Sequence, residues 1–431
     1  MSTKDRWSGS LEFIIAAIGS AVGIGNIWRF PYIMGQNGML AFLVPYTVCL
    51  IVIGVPLLML EIGAGLYFRV SYLEVLKKIG FPQSLGIFTL LVVFFILSYY
   101  VVITSWMLFY AFGFFTGLDV NFGIISGSYI SVPFFLATIF LLYVVMSLGI
   151  KKGIEPAVMV FVPILALLLV VITAYMLIMM PQTIEKTLEK IELDMEYFMS
   201  PRTWLFASAQ VVFSLSIGMG LMLTYGAYVK DRLDLKKSAL TICLGDLTVS
   251  LLSVFIIFPL AFLSGTSIEE GALLSMEALP VIFGMMPFGK FVGGIFFLLV
   301  FIAAFTSAIS MAEMGIHSFD SKLKLSRQKA VEYFLLALLL VSSVVLLSYS
   351  PLNLSLFGKP ILDLFDVIFG TMLSPLSAFL VLVALAHYWD IKRFLLLAGI
   401  MNRTLSRILE YILKWVSPAI LILLFSYGIT H

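Results

Sequence analysis

Charge is scarce in this chain: 12% of its 431 residues are Asp, Glu, Lys or Arg, 61% are hydrophobic, and the mean hydropathy is +1.11. A water-soluble domain could not keep so much apolar surface from aggregating, so the chain belongs in lipid. Cysteine is nearly missing. Cys49 and Cys243 both sit inside apolar runs, which excludes a disulfide framework and a C-x-x-C metal or redox site. Histidine is equally rare: His317 and His387 fall at helix ends and His431 is terminal. No His, Cys or carboxylate cluster has metal-ligand spacing or a triad arrangement, which argues against a membrane enzyme. A net charge of +2 without a sustained basic stripe argues against nucleic acid as a partner.

Long apolar runs are what the chain has in abundance. Windows at 11–32, 40–66, 85–116, 130–148, 156–180, 204–228, 239–263, 291–317, 331–347, 362–387 and 411–430 make eleven candidate spans. Most are close to the roughly 20 residues that cross a hydrocarbon core as helix, and none shows the short alternating pattern of a barrel strand. The expectation is an all-α polytopic protein forming a single membrane domain, 1–431. Residues 1–9 are polar and precede a run longer than a signal-peptide core, so the first span is expected to be retained. With the N-terminus in the cytoplasm, all but six of the 26 Lys and Arg residues lie inside; Arg29, Lys186, Lys190, Arg202, Lys290 and Lys359 lie outside. The positive-inside rule then fixes the orientation, and the odd count places the C-terminus outside, in a multi-pass cell-membrane protein. Residues 182–202 are amphipathic and acidic, reading as a surface helix or a solvated loop.

Two windows carry residues that a regular span in lipid would exclude. The first contains Gly19, Gly23, Gly25, Asn26 and Arg29; the sixth contains Ser214, Ser216, Gly218 and Gly220. Gly19-x-x-x-Gly23 alone reads first as a packing seam, but Asn26 and Arg29 favour unwound backbone beside protein or a cavity. The interrupted spans lie five apart, so each opens a block of five helices. An odd number of spans per block turns the second block upside down. Broken helices at matching positions of two halves mark inverted repeats around a midplane substrate site.

The run from Gly19 to Pro31, with Trp28, Arg29 and Phe30, resembles the signature of the neurotransmitter:sodium symporter family. Further matches are residues 99–106, 210–220 with Tyr225 and Tyr228, 303–307, and 366–371. The likeness extends over the whole chain, except that the twelfth span common in the family is missing. It implies a LeuT-like 5+5 inverted repeat, 11–180 and 204–387, with discontinuous helices one and six and an additional eleventh helix at 407–431. The implied activity is sodium-coupled symport of a small amino acid by alternating access. A channel or a non-transporting amino-acid sensor with the same site is the competing reading.

Carried over by residue, the resemblance implies two sodium sites. One uses Gly19, Val22 and Ala303 carbonyls with the Thr306 and Ser307 hydroxyls. The other uses Ala21, Asn26, Ser214, Asp246 and the substrate's own carboxylate, so ion and substrate bind reciprocally. Asp246 departs from the prototype's asparagine. The chloride-binding members' tyrosine, glutamine and hydroxyls are matched by Tyr46, Gln210, Ser214 and Ser250, so a permanent carboxylate among them implies chloride-independent transport, with a proton returning on Asp246. The implied substrate site is Ser20, Ala21, Ile24, Gly25, Ile96, Tyr100, Phe213, Ser214, Ser216, Met219, Ser307 and Met311. Its apolar side-chain end favours aliphatic or aromatic amino acids. The implied outer gate is Arg29 with Asp366. The implied inner gate is Trp7 with Lys4 or Arg6, Tyr228 and Asp320, and Gly153 with Pro163 forms the hinge of the fifth span.

Overall fold

The computed structural model describes residues 6–189, 193–230, 233–264 and 272–430. Eight of its helices are long and apolar enough to cross a membrane, and a bent pair, α1 (Ser10–Ala21) with α2 (Gly25–Gln36), makes a ninth such segment. The eight are α3 (Leu40–Phe68), α4 (Gln83–Thr116), α6 (Ile150–Met179), α9 (Leu235–Leu263), α10 (Gly289–Leu323), α11 (Arg327–Tyr349), α12 (Ile361–Tyr388) and α13 (Arg403–Ile429). The two remaining apolar windows correspond to α5 (Ser131–Ser147), which is shorter, and to the interrupted pair α7 (Pro201–Ser214) and α8 (Leu221–Ala227). Several helices outrun the apolar windows, notably α10, α11 and α13. Hydropathy marks only the lipid-facing length, whereas charged turns at the ends remain helical in the headgroup zone.

Burial separates a centre from a rim. The most apolar stretch of α10 is 89% buried, against 28% for that of α6 and of α13, so α10 is an inner pillar and the other two face lipid. That pillar packs along α4 and α6, while α1 lies between α6, α9 and α10. The segment read as one amphipathic surface helix is instead two short helices, Pro181–Glu189 and Met195–Met199. Asp194 caps the second by accepting from the Glu196 N–H at 2.8 Å, which starts a new helix there. Only Ile184 and Thr187 of the first are buried.

Several transmembrane helices carry a wide π turn: Gly25–Arg29, Leu50–Gly54, Ile150–Ile154, Asp366–Leu373, Ala384–Tyr388 and Ile412–Val416. Such turns release backbone groups from regular pairing and gather at functional sites.

Candidate functional site

Helical geometry ends at Ala21, Val22 is extended at ψ 116°, and the chain resumes at Gly25 with a bend of 54°. The backbone groups freed there find side chains. The Gly23 N–H donates to Asn26 Oδ1 at 3.0 Å, and the Ile24 N–H donates to the Tyr100 hydroxyl at 3.4 Å. The Ser20 carbonyl accepts from both Ser216 (3.0 Å) and Ser307 (3.2 Å). A Cβ on Gly23 would stand 2.9 Å from both the Tyr100 hydroxyl and Ser307 Oγ, so glycine is what lets helix four and helix ten reach the break.

The second break runs from Leu215 to Gly220, with Ser216, Gly218 and Gly220 at φ 52°, 79° and 77°. Left-handed backbone is strained for side chains. Gly218 could not carry one in any case, since its Cβ would stand 2.2 Å from that of Ala378. Ser216 tolerates φ 52° while its hydroxyl bonds the Ser20 carbonyl, tying one break to the other. Phe213 lies against Gly25 and beneath the Arg29 guanidinium, 4.9 Å from its centroid.

One cluster gathers all five residues read as a neutral sodium site. Ser307 Oγ lies 3.2 Å from the carbonyls of Val22 and Ala303, Thr306 Oγ1 lies 3.0 Å from that of Ala303, and Gly19 faces Thr306. All are buried. The donors are carbonyl and hydroxyl oxygens, chemistry suited to a hard alkali cation. Among the described residues no group of His, Cys, Asp and Glu could hold a transition metal.

Asp246 is the second node. Wholly buried, its carboxylate accepts from Asn26 Nδ2 (2.6 Å), Tyr46 (2.9 Å) and Ser214 (3.1 Å). Asn26 Nδ2 also donates to Ser250 at 3.0 Å. Gln210, read with this group, lies elsewhere: its Oε1 accepts from Arg29 at 2.5 Å and its Nε2 donates to the Gly25 carbonyl at 3.3 Å. Ala21 is buried at the end of α1, and Ile96, Met219 and Met311 are buried side chains of the same apolar core.

The two ends of the broken helix α1–α2 differ in access. Beyond the break, Ile24, Arg29, Tyr100 and Phe213 are partly exposed and Asp366 is exposed. Before it, Trp7, Tyr225, Tyr228 and Glu313 are at most 2% exposed. The outer pair differs from expectation: Arg29 and Asp366 form no ion pair within 4.0 Å, because Gln210 and the Phe213 ring hold the guanidinium.

At the closed end the Trp7 indole donates to the Tyr225 carbonyl at 3.0 Å and its backbone N–H to the Tyr228 carbonyl at 3.1 Å. The Tyr228 hydroxyl donates to Glu313 at 2.6 Å, and Arg327 grips both Glu313 oxygens at 2.9 and 2.8 Å. Glu313 is the carboxylate that Tyr228 and Arg327 bond at this end; Asp320 lies two turns further along α10, in its partly exposed last turn. Lys4 lies outside the described residues. In α6, Gly153 sits within the π turn Ile150–Ile154 and Pro163 within unbroken helix, so the hinge is wound here.

Glu61 and Glu313 were not among the residues singled out from sequence. Glu61, buried in α3, accepts from the Gly218 N–H inside the second break. The signal was available: each is a lone carboxylate in an apolar window, and intramembrane carboxylates are costly unless partnered.

The model of the sodium:neurotransmitter symporter family matches residues 4–122 and 118–431. An uncharacterized sodium-dependent transporter of Methanocaldococcus jannaschii is 32% identical over 411 residues, spanning 88% of this chain and 81% of its own length. The uncharacterized sodium-dependent transporter YhdH of Bacillus subtilis is also 32% identical, spanning 97% of this chain and 96% of its own. The crystal structure of MhsT in complex with L-phenylalanine is similar with a TM-score of 0.87 at 29% identity, covering 99% of this chain and all of that one. These relatives are transporters, not enzymes.

Proposed function

Because this chain belongs to the sodium:neurotransmitter symporter family, whose members are sodium-dependent membrane transporters, and shares the LeuT-like fold, we propose that it carries hydrophobic L-amino acids into the cell with sodium. The observation that carries this reading is the pair of facing helix breaks braced by Ser216, Tyr100 and Ser307. N–H groups outside regular helix pairing at one break suit a carboxylate once their side-chain partners yield, and carbonyls outside it suit an ammonium and alkali ions, since half-helix ends supply partial charge without a buried ion. Ile24, Ile96, Phe213, Met219 and Met311 offer the side chain apolar surface with adaptable methionines, which favours aliphatic and aromatic substrates over a single one. The phenylalanine bound to MhsT is of this class.

Sodium is cargo at two sites in this reading. The Gly19, Val22, Ala303, Thr306 and Ser307 cluster takes one ion. Ala21, Asn26, Ser214 and Asp246 take the other beside the substrate carboxylate, whose shared ligation makes binding reciprocal. Asp246 occupies the place where a chloride would compensate charge, with Tyr46 and Ser214 donating to it, so transport is independent of chloride. The proton that returns is carried on the same carboxylate.

Alternating access follows from the unequal ends. The two repeats, 11–180 and 204–387, rock about the breaks; the Arg29 and Asp366 side is open and the Trp7, Tyr228, Glu313 and Arg327 side is shut, with the N-terminus cytoplasmic. Helix five unwinds between Gly153 and Pro163 when the shut side opens. Proteoliposomes with an inward sodium gradient test the reading. Labelled leucine or phenylalanine should accumulate above its outside concentration and leak out when sodium is equalised. Binding without flux, or flux that only dissipates the amino-acid gradient, would favour a sensor or a channel.

A further inference from the structure

The helix α13 holds 27 residues, about 40 Å at 1.5 Å per residue, whereas the hydrocarbon core is about 30 Å thick. Its first turns, Arg403–Tyr411, therefore stand at headgroup depth, and they are strongly amphipathic. Arg403 and Arg407 are four residues apart on one face, both exposed, with no carboxylate partner among the described residues. Leu405 and Ile408 are exposed on the other face, and Trp415, 63% exposed, follows one turn deeper. Aromatic rings at this depth anchor helices to the interface.

Neighbouring elements add charge to the same spot. Lys236, at the start of α9, donates to the Gly399 carbonyl at 3.3 Å in the loop that leads into α13. The short helix Ile391–Leu397 just before that loop carries exposed Lys392 and Arg393, and Arg393 reaches Tyr67 at the end of α3 at 2.9 Å. Among the described residues of these segments three carboxylates are present, and all are engaged: Asp390 caps Ile391–Leu397 and pairs with Arg393 at 3.5 Å, Asp234 pairs with Lys237 at 3.9 Å, and Glu410, one turn beyond Arg407, pairs with Lys414 at 2.7 Å. Lys392, Arg403, Arg407 and Lys236 are left without acidic partners beside exposed Leu396 and Met401.

We propose that this face, formed by Lys236, Lys392, Arg403 and Arg407, binds the headgroups of anionic phospholipids and seats α13 on the membrane surface. Cations at headgroup level beside exposed apolar side chains match a lipid's own order of charge above hydrocarbon, a complementarity that a soluble acidic partner lacks. The surface lies at the end of α13 and α9, away from the two helix breaks.

The test uses the detergent-purified full chain and fluorescent phosphatidylglycerol, with fluorescent phosphatidylcholine as the neutral probe and inorganic phosphate as competitor. Phosphatidylglycerol should bind saturably, phosphatidylcholine should not, and millimolar phosphate should not displace the lipid. R403Q/R407Q should weaken binding about thirtyfold, each charge near the surface being worth roughly fivefold. K151Q/K152Q, removing another exposed basic pair, should change it less than twofold. If R403Q/R407Q fails to fold, R403K/R407K decides the matter: retained binding that 0.5 M salt abolishes supports the proposal. Equal binding of both lipids, displacement by phosphate, equal loss in K151Q/K152Q, or loss of a dimer in R403Q/R407Q without loss of lipid would overturn it.

Discussion

Replacing Asp246 by serine removes the acceptor shared by Asn26, Tyr46 and Ser214 while leaving all three donors buried. Bonds to a charged acceptor contribute about 1.5–3 kcal/mol each, and removing one member of a buried ionic network typically costs about 3–5 kcal/mol. At about 1.4 kcal/mol per decade, that is between about a hundredfold and a few thousandfold in sodium-coupled uptake. The loss should be conditional. A chloride ion can accept from the same donors and restore the missing negative charge, so D246S should regain most of its uptake in chloride and stay inactive in gluconate, while the parent protein transports equally in both. Uptake of labelled leucine into proteoliposomes, measured in matched sodium chloride and sodium gluconate, reads the outcome directly. A parent protein that stops in gluconate, or a D246S variant equally active in both salts, would refute the assignment of Asp246 as a built-in anion.

Other expectations follow from single contacts. Y100F removes the hydroxyl that accepts from Ile24, and should weaken amino-acid binding about tenfold without lowering the melting temperature measurably. G218A places a Cβ 2.2 Å from that of Ala378 at φ 79°; strain and overpacking of about 2–4 kcal/mol should lower the melting temperature by several degrees in a fluorescence scan. E313Q strips Arg327 of its bidentate partner and weakens the bond from Tyr228, so the shut end should loosen. A cysteine at buried Ser318 should then react with maleimide at least several times faster than in the parent background, and an unchanged rate would exclude Glu313 from the gate.

Much of this architecture was legible because lipid makes sequence unusually explicit. Apolar windows located the helices, and glycine with Asn26 and Arg29 located the first break, since the bilayer tolerates neither polar side chains nor loose backbone without a reason. Helix ends were less legible: hydropathy cannot see the charged turns of α13 or α10 that stand in the headgroups. Tertiary choice was least legible of all. Sequence offered Asp366 as the partner of Arg29, and only the packing of Phe213 under its guanidinium shows that Gln210 takes it. Likewise Asp320 and Glu313 sit on one helix two turns apart, and only burial beside Tyr228 shows that its hydroxyl bonds Glu313. Pattern located the residues; which oxygen each donor chose depended on three-dimensional packing.

Equilibrium binding of labelled leucine to the purified protein, titrated with sodium at constant ionic strength, tests most directly whether the two breaks form one shared site. Saturable binding should appear with sodium and not with potassium, and saturating leucine should tighten sodium by the same factor by which sodium tightens leucine. Leucine bound equally in sodium and potassium would contradict the account.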